Sequence, residues 1–182
     1  MNKIKESVIC AGFGGQGIMI LGKVLATAGM NAGLNVTWLP AYGVEVRGGT
    51  AYSMVVMSSS PVASPVVTNA DTAIIMNGPS LEKFENTVKK GGILILNTSV
   101  SARRALRGDL EKIEVPLTEE AIKLGNPKVA NMIAAGVFMS RKKLFDKATM
   151  ESVFIEMTAG REELIKINIK AIDRGMELGM KG

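Results

Sequence analysis

Short runs of uninterrupted apolar residues, Val8 to Ala11, Ala73 to Met76 and Ile93 to Leu96, alternate with stretches whose apolar positions recur at helical spacing. Apolar runs of four bounded by turn residues, without polar alternation, predict strands buried on both faces. Between the first run and Gly33, residues Ile18, Leu21, Val24, Leu25 and Ala28 fall on one face of a helix. Val36 to Leu39, ending at Pro40, predicts a second strand, and Ala51 to Met57, with β-branched Val55 and Val56, a third. After Asn77-Gly78-Pro79 a helix is expected, with Ser80 as N-cap and Lys90-Gly91-Gly92 as its stop. Ile113 to Leu117 reads as the last strand.

Thr118 is placed to cap the next helix, with Glu119 and Glu120 near the positive end of its dipole and Gly125 at its end. Asn126-Pro127 opens another, Pro127 suiting a first turn. Ala134, Ala135 and Gly136 give this helix a small-residue surface for close packing, and Asn131 is either a satisfied core amide or a contact to a partner. Met150 to Met157 and Glu162 to Leu178 predict two amphipathic helices. Ser58 to Pro65 is a surface turn and not a domain boundary. Strands separated by helices predict an α/β domain, single over residues 1–182, with a mainly parallel sheet covered on both faces and a helical C-terminal part.

The first strand meets the first helix at Gly12-Phe13-Gly14-Gly15-Gln16-Gly17, which makes this βα unit Rossmann-like. Four glycines in six residues allow a tight turn and the close approach of a ligand, and the G-x-G-x-x-G spacing aims N–H groups and a helix N-terminus at an anion. The same glycines would also serve close helix–sheet packing. A dinucleotide site needs an acidic residue at the end of the second strand. None is there: Asn31, Asn35 and Thr37 are the polar residues nearby, and Glu45 comes later, in the following loop.

Composition narrows the chemistry. The chain has 182 residues, 47% apolar and 21% charged, which is a globular composition. No apolar run approaches the ~20 residues of a membrane helix. The apolar run after Met1 to Glu6 is brief and ends in the glycine loop where a signal cleavage site should be, so a cytoplasmic location is expected. There is no histidine and one cysteine, Cys10, inside an apolar strand. One thiol cannot hold an iron–sulfur cluster, a Cys/His zinc site lacks its ligands, and no Ser-His or Cys-His pair can form. The net charge of +5 is spread without a dense basic cluster and aromatics are 4%, so an anionic ligand or acidic partner explains it as well as nucleic acid does.

Tyr42-Gly43-Val44-Glu45-Val46-Arg47-Gly48-Gly49-Thr50 follows the second strand. In an extended chain Glu45 and Arg47 project on the same side, where they can brace the loop as an ion pair. Arg47 can equally present its guanidinium to a phosphate or carboxylate, with Gly48-Gly49 removing bulk.

Taken together with Ser64-Pro65, Met76-Asn77 and Gly125-Asn126-Pro127 with Asn131, these motifs resemble the gamma subunit of the 2-oxoacid:ferredoxin oxidoreductases over nearly the whole chain. The glycine loop and the Tyr-Gly-x-Glu-x-Arg-Gly-Gly segment carry the resemblance. Val44 stands where the family more usually has proline. Leu124 to Asn131 looks most like subunits acting on 2-oxoglutarate, with pyruvate, branched-chain oxoacid and indolepyruvate types as alternatives.

The resemblance implies an α/β/α layered domain in a complex that decarboxylates a 2-oxoacid on thiamine diphosphate, passes electrons through iron–sulfur clusters to ferredoxin and releases an acyl-CoA. It implies that thiamine diphosphate, magnesium and the clusters belong to partners, namely alpha and beta thiamine-binding subunits and a ferredoxin-like subunit. This chain also lacks a thiamine motif, Gly108-Asp109 being followed by Leu110. No catalytic or metal-ligating residue is expected here. The expected cofactor-side residues, for coenzyme A as co-substrate, are Gly12, Gly14, Gly15, Gln16, Gly17, Tyr42, Glu45, Arg47 and Asn77, at the carboxyl ends of the strands where open α/β sheets bind ligands. Backbone N–H groups would hold phosphate, Arg47 would supply charge, and Gln16 and Asn77 would make polar contacts to ligand or partner. An assembly module that touches no cofactor, and a free-standing nucleotide-dependent enzyme, are the other readings. Nucleic acid and membrane are not expected partners, and dimerisation of the isolated chain is left open.

Overall fold

The computed structural model describes residues 3–42 and 50–181. Six strands, β1 (Lys5–Phe13), β2 (Asn35–Ala41), β3 (Thr50–Ser58), β4 (Ala70–Ile75), β5 (Val88–Asn97) and β6 (Glu111–Val115), form one sheet in the order β2-β3-β1-β4-β5-β6. The helices are α1 (Ile18–Asn31), α2 (Gly78–Phe84), α3 (Leu117–Lys123), α4 (Ala130–Lys142), α5 (Lys147–Met157) and α6 (Glu162–Met180). The pairs β1–β4, β4–β5 and β5–β6 are parallel, so the mainly parallel α/β sheet expected from the apolar runs is present.

β3 is the exception, antiparallel to both β1 and β2. The link from Ala41 to Thr50 is shorter than the dozen or more residues of a parallel crossover, so the chain can only double back. As a result β3, and not β2, lies beside β1.

Alternation along β1 divides the core into two layers. Val8 and Cys10 face one cluster with Leu21, Leu25, Ile74, Ile95 and Phe138; Ile9 and Ala11 face another with Ile75, Leu81, Leu94 and Leu96. The first layer is covered by α1, α3 and α4, with α5 and α6 packed further out. The second is covered by the short α2 and by irregular chain. Helices therefore lie on both faces. No helix among the described residues is long and apolar enough to cross a membrane.

Several local expectations are corrected. Asn77, not Ser80, caps α2: its Oδ1 accepts the Ser80 N–H at 2.9 Å. That helix ends at Phe84, followed by a 3-10 turn (Glu85–Thr87), and Lys90-Gly91-Gly92 lies inside β5. There the β4–β5 register shifts between Ala70 and Thr72, Gly91 adopts φ 73°, and a side chain at Gly92 would strike the Lys89 and Asp71 carbonyls. Two adjacent glycines here make an irregular strand and not a helix stop. The last strand runs from Glu111 to Val115, because Pro116 and Leu117 already begin α3. Thr118 therefore sits within α3, and its N–H reaches Asn97 Oδ1 at 3.4 Å. Asn126-Pro127 opens a 3-10 turn (Pro127–Val129), and α4 proper begins at Ala130.

The small-residue surface on α4 is used as its composition suggests. Gly136 meets Gly175 of α6, where each backbone occupies the space a Cβ on the other would need. A buried carboxylate, Glu120 of α3, ties α6 to α3 through Arg174 Nε at 2.7 Å and also accepts from Lys123 Nζ at 2.6 Å. The hydrogen bonds from Lys123 and Arg174 outweigh burial and hold the Glu120 carboxyl below its ordinary value. Its stabilisation is complete above the ordinary glutamate value of about 4.3 and is lost as pH falls through the lower folded value. Urea titrations from about pH 5 down to about pH 3 should show a shallower loss of stability for Glu120→Gln than for the wild type. Equal slopes would mean that Glu120 does not carry this part of the acid response.

Candidate functional site

The site is built where β1 stops. Phe13 ends the strand, Gly14 to Gly17 form the turn, and Gln16 N–H closes it on Phe13 O at 3.2 Å. Gly15 (φ 93°) and Gly17 (φ 71°) occupy the left-handed region that glycine enters without steric cost. Gly17 is the N-cap of α1, and no side-chain cap and no acidic residue stand in the first turn. The first helical bond runs from Leu21 N–H to Gly17 O, which leaves the N–H groups of Ile18, Met19 and Ile20 without helical acceptors. Gly14 and Gly15 are exposed, with open space where their side chains would be. Among the described residues, the positive end of a 14-residue helix thus lies beside the open space at Gly14 and Gly15, an arrangement that can receive an anion.

Side-chain amides brace this surface from below. Gln16 Oε1 accepts from Phe13 N–H at 2.7 Å and Asn77 Nδ2 at 3.2 Å, while Gln16 Nε2 donates to Met76 O at 3.1 Å. Asn77 is fully buried and spends its other amide atom on the α2 cap. Gly12 is needed because a Cβ there would lie 2.6 Å from Gln16 Oε1. Asn97 continues the line, donating to Thr118 Oγ1 at 2.9 Å and to Met76 O at 3.5 Å. Asn131 of α4 donates to Gly17 O at 3.1 Å, and a Cβ on Gly17 would come within 2.3 Å of its Nδ2. Asn131 is therefore a satisfied core amide, and it fixes the start of α1.

The expected residues divide into four groups. Gly14 and Gly15 form the open rim, and Gly17, half-buried against Asn131, closes its inner end. Gly12, Gln16 and Asn77 lie behind it with their polar atoms directed at each other and at backbone, which leaves their amides engaged within the chain. Tyr42 is 72% exposed just past the end of β2. Glu45 and Arg47 lie outside the described residues. The residues that flank their segment are placed, however: Thr50 is in register with Phe13, and Ala41 with Tyr52, so both ends of the segment start from the glycine-loop edge.

Asn97 and Thr118 are parts of the brace whose connection the sequence does not reveal. The available signal was that an Asn follows each of the apolar runs Ala73 to Met76 and Ile93 to Leu96 at the same sheet edge. Cys10 is buried in β1, and burial pushes its thiol up to about 12, as an inert core thiol requires.

A family model described as pyruvate ferredoxin/flavodoxin oxidoreductase matches residues 7–178. Ketoisovalerate oxidoreductase subunit VorA of Methanothermobacter thermautotrophicus is 35% identical over 168 residues, covering 92% of this chain. The chain spans only 35% of that relative's length. The 2-oxoglutarate synthase subunit KorC of the same organism is 30% identical over 190 residues, covering 100% of this chain and 99% of the relative. In fold, the chain is similar to the 2-oxoglutarate:ferredoxin oxidoreductase from Magnetococcus marinus, solved with 2-oxoglutarate, coenzyme A and succinyl-CoA bound. The TM-score is 0.90 at 23% identity, over 100% of this chain and 32% of that one. With the matched region running from the start of β1 into α6, the chain belongs to the pyruvate ferredoxin/flavodoxin oxidoreductase family.

Proposed function

We propose that this chain is the gamma subunit of a 2-oxoacid:ferredoxin oxidoreductase of the 2-oxoglutarate type, and that its glycine-loop edge contributes to the coenzyme A side of the active complex. The observation that carries the site is the register of β3 on β1, which starts the Glu45/Arg47 segment from the rim formed by Gly14 and Gly15. The residues present suit an anionic phosphate group: open glycines, uncommitted helix N–H groups and no carboxylate in the first turn of α1. Coenzyme A would bring the thiol that accepts the acyl group. This chain would bind its phosphates and orient it, with Arg47 supplying charge, Tyr42 and Glu45 flanking, and Gln16 and Asn77 holding the loop in shape from behind. Thiamine diphosphate, magnesium and the clusters would sit in alpha, beta and ferredoxin-like partners.

The end-to-end match to KorC supports the 2-oxoglutarate type. The higher identity to VorA favours a second reading, a branched-chain oxoacid enzyme. Native co-purification followed by assay of acyl-CoA formation from 2-oxoglutarate and from 3-methyl-2-oxobutanoate decides between them. In the complex, Arg47→Ala is expected to weaken coenzyme A binding about tenfold, the scale of one charge-assisted contact. Gly14→Glu, which sets a carboxylate on the rim, should block binding without disturbing assembly. If both variants bind coenzyme A normally and Gly14→Glu instead prevents association of the subunits, the edge is an assembly surface and the cofactor role is wrong.

A further inference from the structure

A second concavity lies at the opposite end of the sheet. Because α2 has only seven residues, it covers part of its face, and near the start of β1 the chain between β3 and β4 takes over. That segment is pinned at several points. Ile4 N–H donates to Ser59 Oγ at 3.1 Å, Ser59 N–H donates to Ile4 O at 3.0 Å, and Val67 N–H lies 3.2 Å from Met54 Sδ. Pro61 and Pro65 restrict its backbone further. Beneath it is a half-open cavity of about 610 Å³ with an apolar floor from Val56, Val62 and Val67. Ser7, the lining residue furthest along β1, is six residues, about 20 Å at ~3.3 Å each, from Phe13 at the start of the glycine loop.

The charge of its wall is one-sided. Lys3, Lys5 and Lys89 line it, and the described lining contains no aspartate or glutamate. The carboxylate next to it, Asp71, is already engaged: it accepts from Ser7 N–H at 2.9 Å, from Ser7 Oγ at 2.5 Å and from Lys89 Nζ at 2.5 Å. Lys3 and Lys5 are exposed and form no ion pair among the described residues. Apolar floor, ammonium rim and a volume in the range of metabolite pockets define a chemical class. We propose that this cavity binds a small organic anion, a carboxylate or phosphate head on an apolar body, the head held by Lys3 and Lys5 and the body resting on the three valines. Two ammonium groups at the rim set the sign of the ligand, and the valine floor sets its need for a carbon skeleton.

Calorimetric titration of the full chain with hexanoate, phenyl phosphate, inorganic phosphate and hexanol tests this. Saturable binding of hexanoate or phenyl phosphate is expected, at least about tenfold tighter than inorganic phosphate or hexanol, and which of the two binds identifies the head group. Lys3→Ala/Lys5→Ala and, separately, Ser60→Glu should each weaken it about tenfold. Both changes fall on exposed positions, and an unchanged melting temperature confirms that the fold is intact. Three outcomes overturn the proposal: neither organic anion saturating at millimolar concentration, binding that ignores both variants, or inorganic phosphate binding as tightly as phenyl phosphate. An acidic peptide that binds while both small anions stay silent would reassign the surface to a protein partner and equally overturn it.

Discussion

Replacement of Gly136 by alanine is expected to lower the unfolding free energy by about 3 kcal/mol, the upper part of the range for overpacking a rigid core. A Cβ at this position would stand 2.2 Å from Ile172 O and 2.9 Å from the Gly175 Cα, both backbone atoms of α6. No rotamer change relieves a clash with backbone, so α4 and α6 must separate along their longest shared contact. Alanine gains roughly 1 kcal/mol of helix propensity over glycine, which offsets only part of the loss. The melting temperature should fall by about 6–12 °C, at the 2–4 °C per kcal/mol usual for chains of this size. Gly175→Ala should behave alike, its Cβ falling 2.0 Å from Ile133 O. Gly108→Ala, at a position with open space, is the control and should change little. A fall at Gly136 no larger than that control would show that the helices do not meet as closely as described.

The second large effect is expected at Asn77, where Ala should cost about 2–3 kcal/mol. Loss of the α2 cap accounts for about 1 kcal/mol. The remainder comes from the lost hydrogen bond to Gln16 Oε1 and the space left where a fully buried amide stood, which loosens the hold of Gln16 on Phe13 and the Met76 carbonyl. Serine keeps an oxygen for the Ser80 N–H but cannot reach Gln16 as an amide does, so Asn77→Ser should recover about half of the loss. Amide hydrogen exchange supplies the local readout: Phe13 N–H, held by Gln16, should exchange faster in both variants. Denaturation curves for Asn77→Ala and Asn77→Ser that coincide would place the whole effect in the brace and none in the cap.

Physical reasons separate what could be read in the residues from what could not. Val8 to Ala11, Ala73 to Met76 and Ile93 to Leu96 were visible as strands because burial on both faces removes polar alternation, a purely local signature. The stop assigned to Lys90-Gly91-Gly92 failed because glycine punctuates helices and strand irregularities alike, and only the neighbouring Lys89 and Asp71 carbonyls decide which. Ser80 as a cap failed for a related reason: Asn77 and Ser80 are both good caps by residue type, and the choice depends on where the backbone leaves β4. At the site, the glycines disclosed the turn. The inward course of Gln16 was hidden, since its partners Met76 and Asn77 are some 60 residues away. The connection of Asn131 to Gly17 spans 114 residues and is likewise tertiary.

The reversed strand beside β1 also shapes how the chain must assemble. In an ordinary βαβ unit the first strand finds its neighbour as soon as one helix and one more strand have emerged. Here β1 is flanked by β3 and β4, and α1 rests on β2 and β3, with a Cβ on Gly29 blocked by Met57. The opening strand therefore has no partner until synthesis has passed Ser58, and its second edge stays open until Ile75 has followed. An apolar segment left waiting in this way is exposed to mispairing during synthesis. Truncations that end before β4 should consequently be recovered as aggregates, because β1 then keeps an unpaired edge and Gln16 lacks the Met76 carbonyl and the Asn77 amide that hold the loop.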